Sequence, residues 1–314
     1  MQPLFLKPVF QERIWGGSAL KSFEYDLPSE QIGECWAVSA HPNGMSVIRE
    51  GEYVGRTLEE LWRSNRELFG NLVGEKFPLL TKLLDANEDL SIQVHPDDFY
   101  AYHNENGELG KTECWYIVDC KEQAEIIFGH RAQTKEEFTN MVIEGKWNEL
   151  LMRVSVKKGD FFYVESGTVH ALCSGVVILE TQQNSDTTYR LYDYNRRDKN
   201  GKLRELHIEK SIDVTKIPQE MPIMKFKEEK FDGYTKTTFV KERYFSVYKY
   251  IMKEFAEIKM DVQPFHIVSI LSGEGTITIN GKSYSIKKGD HFILPHKLNH
   301  FIVEGNMEWV VSHP

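Results

Sequence analysis

The 314-residue sequence contains no apolar run approaching the roughly 20 residues that span a bilayer, so no helical membrane segment is expected. Its first residues, Met1-Gln2-Pro3-Leu4-Phe5-Leu6-Lys7-Pro8, lack the basic start and long apolar stretch of a secretory signal. Cysteine is scarce. Cys35, Cys114, Cys120 and Cys173 show no CxxC spacing and read as reduced thiols in a cytoplasmic protein rather than as disulfides. Basic residues are outnumbered, 38 Lys and Arg against 47 Asp and Glu. The net charge of −9 argues against a nucleic-acid partner. What remains, 41% hydrophobic and 27% charged residues, is an ordinary globular composition. The length suffices for one large core or two moderate ones.

Helix signals are also few. Thr57-Leu58-Glu59-Glu60 is a capping box, with Leu58, Leu61, Trp62 and Leu68 behind it and Gly70 as a stop. A second capping box, Thr134-Lys135-Glu136-Glu137, precedes a helical stripe of Phe138, Met141, Val142 and Leu150. Both stripes read as core packing. Elsewhere short strand-like runs alternate with turn signals, as in Ala124–Gly129 and Thr276–Lys282, where Asn280-Gly281 marks a hairpin. Trp15-Gly16-Gly17 reads as a simple turn in preference to a wall of a binding site.

One unit occurs twice. Lys157-Lys158-Gly159-Asp160-Phe161-Phe162-Tyr163-Val164 resembles Lys287-Lys288-Gly289-Asp290-His291-Phe292-Ile293-Leu294, and His170 and His300 follow at equal intervals. Upstream, Glu113–Val118 lies on His266–Leu271, with the first copy longer by about the helical segment after Thr134. A Gly-Asp turn, an apolar strand and then a histidine predict a mainly β fold of two cupin-like barrels of jelly-roll type, the first carrying a short helical insertion near 134–152. The linker-like stretch Lys216–Pro222 divides a domain of residues 1–217 from one of 218–314. The second copy keeps His266 and His300 but no counterpart of the Gln93/His95 pair, and two histidines alone make a poor metal site.

The first copy is better equipped. In Ser91-Ile92-Gln93-Val94-His95-Pro96, Gln93 and His95 are two apart and on a strand share a face. Glu113 opens a strand-like run, and His170 ends Gly167-Thr168-Val169-His170. Two imidazoles, a carboxylate and an amide oxygen form a plausible ligand set for zinc or another divalent first-row metal. His41, His103, His130, His207 and His313 read as surface or hydrogen-bonded residues.

The motifs Gly33-Glu34-Cys35-Trp36, Phe77-Pro78-Leu79-Leu80-Thr81-Lys82, Ser91–Asp97, Gly110-Lys111-Thr112-Glu113, Gly167–Leu172 and Glu180–Arg190 stand in an order that resembles the type I mannose-6-phosphate isomerases, in a short bacterial form. The resemblance implies one Zn2+ per chain, held by Gln93, His95, Glu113 and His170. It implies catalytic roles for Arg190, Lys111, Glu180 and Asp186, and places Ser91 at the sugar phosphate. After Arg190 the larger relatives carry a Gly-rich, Pro-Lys segment that is replaced here by Leu191–Arg197, where Arg196 could supply the missing cation. Otherwise Arg196-Arg197-Asp198-Lys199 reads as a solvated turn.

The implied reaction interconverts mannose 6-phosphate and fructose 6-phosphate by moving a proton between C1 and C2. It needs a base, a shuttle between two oxygens, stabilisation of an enediolate and a grip on phosphate. A monomer or weak homodimer without nucleic-acid or membrane partners is expected. An iron-dependent cupin oxygenase and a non-catalytic sugar-phosphate binder are the alternatives. The Asn184–Arg190 segment argues against both.

Overall fold

The computed structural model describes residues 1–314 apart from Lys199 and Met221. Lys199 in the turn after Arg196, and Met221 in the linker-like stretch, therefore lie outside the described residues. The described chain is mainly β and forms three sheets. A six-stranded sheet runs in the order Phe161–Val164, Glu113–Cys120, Val176–Gln183, Leu79–Ala86, Ile32–Val38 and Val9–Gly17. A five-stranded sheet runs Tyr189–Tyr192, Ile92–Val94, His170–Leu172, Glu125–His130 and Leu151–Ser155. The third sheet, ten-stranded, is built from the C-terminal residues with two guests, Leu4–Lys7 and Val47–Ile48. Among the described residues no helix is long and apolar enough to cross a membrane.

The six-stranded sheet is covered on both faces, which is why Leu79–Ala86 and Val176–Gln183 are buried along their whole lengths. Alternation decides which core each residue joins. Leu84, Trp115, Ile117 and Ile178 pack with Ile126, Phe128 and Leu172 of the five-stranded sheet. Leu83, Cys114, Tyr116 and Leu179 point the other way, toward Val247, Phe265, Ile267 and Ile293 of the C-terminal half. Lys82, Glu113 and Glu180 share the parity of the first set, so their side chains enter the space between the two N-terminal sheets.

The repeat has a physical counterpart. Gly159 and Gly289 both take positive φ, 94° and 88°. In each copy the following aspartate accepts a 2.9 Å hydrogen bond from the amide of Lys157 or Lys287. The turns match, but the histidines beyond them do not. His170 is buried, whereas His300 is exposed and bound to Glu257 at 2.7 Å.

Local signals settle the helices. Thr57 Oγ1 accepts from Glu60 N at 3.2 Å and Glu60 Oε2 accepts from Thr57 N at 2.7 Å, a complete capping box opening Leu58–Ser64. At the second site Thr134 caps Lys135–Ile143, but Glu137 accepts from the Gln133 amide instead of closing the box. The stripe is also broken: Gly145 at φ 68° ends it, and Trp147–Leu150 is a separate turn of helix that carries Leu150. Trp15-Gly16-Gly17 is not a turn but the end of the strand Val9–Gly17. A β-carbon at Gly16 would lie 2.4 Å from the Gly33 nitrogen, so this strand approaches its neighbour more closely than any other residue allows.

The two halves share one aromatic cluster. Phe265 lies 5.0 Å from Phe77 and 5.6 Å from Phe69, centroid to centroid, and Trp62 packs on both of the latter at 5.4 Å. Phe265→Ala should therefore lower the unfolding free energy by about 3–5 kcal/mol. In denaturant melts followed by both near- and far-UV dichroism the halves should lose structure together. An early transition confined to the C-terminal half would contradict this.

Candidate active site

His95, Glu113 and His170 come from three separate strands and meet with their ligand atoms within 4.8 Å of one another. His95 follows Ile92–Val94, Glu113 opens the six-stranded sheet's second strand, and His170 opens His170–Leu172, paired to Gln93. Glu113 Oε2 stands 3.5 Å from His95 Nε2, and Glu113 Oε1 stands 3.3 Å from His170 Nε2. All three side chains are buried.

The donor set suits a divalent metal. His95 Nδ1 lies 2.9 Å from the Thr187 carbonyl, and His170 Nδ1 lies 2.9 Å from the Thr168 carbonyl. A carbonyl only accepts, so both Nδ1 atoms carry the proton and both Nε2 atoms present a lone pair to the centre. Burial lowers the pKa of His95 well below its ordinary value, aided by Lys111, and that of His170 to about 4. Both imidazoles are thus neutral, as ligation requires. His170 Nε2 and Glu113 Oε2 are buried without a hydrogen-bond partner, the condition of atoms that await a cation. Lys111 Nζ lies 3.1 Å from His95 Nε2 and, at ion-pair distance, 3.4 Å from Glu113 Oε2.

Beside this cluster opens a cavity of about 330 Å3. Its wall includes Ser91, Gln93, Lys111, Glu180, Asp186 and Arg190. Gln93 pairs in register with both His170 and Arg190. The Arg190 Nε is buried without a partner. Asp186 accepts from Asn43 Nδ2 at 3.0 Å, and no ion pair joins it to Arg190 among the described residues. Arg196 does not line the cavity. Its guanidinium is bound to Asp193 and to the Asp89 carbonyl.

Several wall residues are not among the site residues named from the sequence, although Glu34 and Lys82 lie in motifs quoted above. Arg13, Trp15, Glu34, Lys82 and Arg204 all face the cavity. Trp15 is there because its strand continues where a turn was expected. Lys82 was the most findable, since a lysine inside the apolar run Leu79–Ala86 must have partners when buried. It stands 3.8 Å from Glu34 and 3.6 Å from Glu180.

The two carboxylates beside Lys82 differ. Burial pushes Glu34 up, but Lys82 and Arg13, the latter at 2.8 Å, outweigh it and hold the carboxyl at about 2. Glu180 has no arginine. Burial and the Glu113 charge raise it to about 7 despite Lys82, and its Oε1 accepts from Trp115 Nε1 at 3.1 Å. The site therefore includes the ionised Glu34, Glu180 poised near neutrality, Asp186, two lysines and three arginines.

Residues 4–118 match the family model of the type I phosphomannose isomerase catalytic domain, and residues 235–314 that of the mannose-6-phosphate isomerase cupin domain. The mannose-6-phosphate isomerase ManA of Bacillus subtilis (strain 168) is 56% identical over 312 residues, 99% of each chain. A mannose-6-phosphate isomerase of Streptococcus mutans serotype c is 50% identical, over 99% of this chain and 98% of its own. A crystal structure of the mannose 6-phosphate isomerase from Bacillus subtilis agrees with a TM-score of 0.98 at 53% identity, over 100% of both chains. Sequence kinship along the whole length, the cupin fold and a His-Glu-His centre agree: the chain belongs to the type I phosphomannose isomerase family.

Proposed function

We propose that the chain interconverts mannose 6-phosphate and fructose 6-phosphate, with one zinc ion per chain and a proton passed between C1 and C2 through an enediol or enediolate. The observation that carries this reading is the junction of the buried His95–Glu113–His170 cluster with a cavity holding Glu180, Lys111 and Arg190. Two nitrogens and a carboxylate, with Gln93 alongside, match the donors of catalytic zinc sites that keep a position open. A divalent ion held by His95, Glu113 and His170 would supply Lewis acidity to the sugar's carbonyl chemistry.

The chain's own groups divide the remaining work. Glu180 is the proposed base at the carbon, because burial holds its proton affinity near the working pH. Lys111 passes a proton between the two oxygens and assists ring opening. Arg190 is a permanent cation with an unused Nε, fit for the oxygen on which charge grows. Asp186, fixed by Asn43, orients hydroxyls on the wall.

The phosphate dianion needs local positive charge in a protein of net charge −9. Ser91, Arg13 and Arg204 meet it at the cavity wall. Arg204 is lowered to about 10 by burial and then by Arg190, which together outweigh its ion pair with Asp193 at 3.4 Å, and an incoming anion would offset that cost. Arg196 and Arg204 both reach Asp193 Oδ1, Arg204 at 3.4 Å, but of the two only Arg204 lines the cavity, so the expected phosphate role falls to Arg204. Residues 1–217 form the proposed catalytic unit, and 218–314 a supporting cupin unit without a metal. The protein is assigned to the cytoplasm, as a monomer or weak homodimer.

Alanine at His95 or His170 should abolish both bound zinc, read by metal analysis, and fructose 6-phosphate formation, read by a coupled assay. Full turnover after thorough chelation would sink the metal assignment. Arg190→Ala should keep its zinc while kcat falls by about 100- to 1,000-fold. The pH profile tests Glu180. As the base it must be ionised, so kcat declines toward acid, and a bound cation offsetting the Glu113 charge places the limb between the ordinary 4.5 and about 7. Glu180→Gln should remove activity at every pH; a retained acid limb in that variant would reassign the base.

A further inference from the structure

Three consecutive amides lead into Glu113, and each is held from outside its own segment. Gly110 N donates to Asp98 Oδ1 at 2.9 Å, Lys111 N to the Pro96 carbonyl at 3.0 Å, and Thr112 N to Gln183 Oε1 at 2.9 Å. Gln183 closes the circuit: its Nε2 donates to Asp98 Oδ1 at 2.8 Å, and its backbone N donates to the Thr112 carbonyl at 3.0 Å. The second oxygen of Asp98 accepts the Tyr244 hydroxyl at 2.9 Å, from the C-terminal half. One carboxylate thus gathers donors from the Lys111 loop, the Glu180 strand and the other half of the molecule. The fit is close. A β-carbon on Gly110 would lie 2.5 Å from both the Asp97 carbonyl carbon and the Asp98 nitrogen, so only glycine lets the loop lie there.

Asp98 is not part of the cavity wall, and the hydrogen bonds its carboxylate accepts come from Gly110, Gln183 and Tyr244, not from His95, Glu113 or His170. Its grip ends one residue before Lys111. A lysine side chain turns on four bonds, so its ammonium is placed reliably only if its backbone is. We propose that Asp98, braced by Tyr244, is a positioning residue that sets where Lys111 stands beside His95 and Glu113. This rests on the catalytic role given to Lys111 above. It also gives the C-terminal half a task in a reaction whose reacting groups all lie in the N-terminal half.

The test uses the full-length protein with bound zinc measured, and reads kcat and KM for mannose 6-phosphate well below the melting temperature. D98A should lose about ten- to 100-fold in kcat, as an ångström-scale displacement of a reacting group does, with zinc content and KM little changed. D98N should recover most of that loss, because its Oδ1 still serves Gly110 and Gln183 and its amide can donate to Tyr244. Y244F should fall by about two- to tenfold, the size of one lost hydrogen bond. A wild-type kcat in D98A, a D98N as slow as D98A, or zinc lost in proportion to kcat would each overturn the proposal. K111A separates the two levels. If K111A turns over normally, the role of Lys111 fails and the proposal with it; if K111A is slow and D98A is not, the positioning alone fails. Should D98A not fold, an unchanged kcat in Y244F overturns the proposal.

Discussion

A carboxylate sealed between two sheets governs this molecule. Glu113 is buried, and an ion so placed costs several kcal/mol unless positive charge stands close by. The two imidazoles beside it do not supply that charge, since burial keeps both neutral. The Lys111 ammonium, 3.4 Å away, supplies part of it. A divalent ion among the three ligand atoms would supply the rest. The same burial that makes Glu113 demanding makes any cation held there electrostatically strong, because little water screens it.

The charges around this centre are graded by how many partners each one has. Lys82 is buried and kept charged because Glu34 and Glu180 together outweigh its loss of water. Arg13 attends Glu34 alone, so the two carboxylates on one lysine end at opposite ends of their range, about 2 and about 7. One is a fixed charge, and the other sits where it can take up or release a proton near neutral pH. That separation arises from strand order. Ile32–Val38 lies beside Val9–Gly17, which brings Arg13, while Val176–Gln183 lies beside Glu113–Cys120, which brings a second negative charge.

The same sheet joins the halves. One face carries Glu113, Lys82 and Glu180 into the site, and the other packs Leu83, Tyr116 and Leu179 against the C-terminal core. The chain's first strand, Leu4–Lys7, pairs with His291–Pro295, and Tyr116 Oη donates to Glu308 at 2.7 Å. The C-terminal half keeps the Gly-Asp turn of the N-terminal copy, yet its His300 lies exposed. Its contribution is the packed face on which the site-bearing sheet rests.

Much of this was legible in the chain because it is written locally or by regular spacing. The Thr57 capping box, the Asn280-Gly281 hairpin at φ 51° and 76°, the duplicated Gly-Asp turn and the alternation of the strands each depend on neighbours within a few residues. The candidate ligands His95, Glu113 and His170 could be named because each sits in a motif that marks it. Which cations face the cavity beside the His95–Glu113–His170 cluster was decided only by the tertiary structure. Arg196 and Arg204 belong to one polar segment, and nothing in that segment ranks them. A turn with positive φ at Tyr194 and Asn195 brings Arg196 back onto Asp193, while Arg204 reaches the wall. Arg13, Trp15 and Lys82 likewise gain their places from strand pairings between residues far apart in the chain, and a side chain's partners across a sheet are not encoded by its neighbours along it.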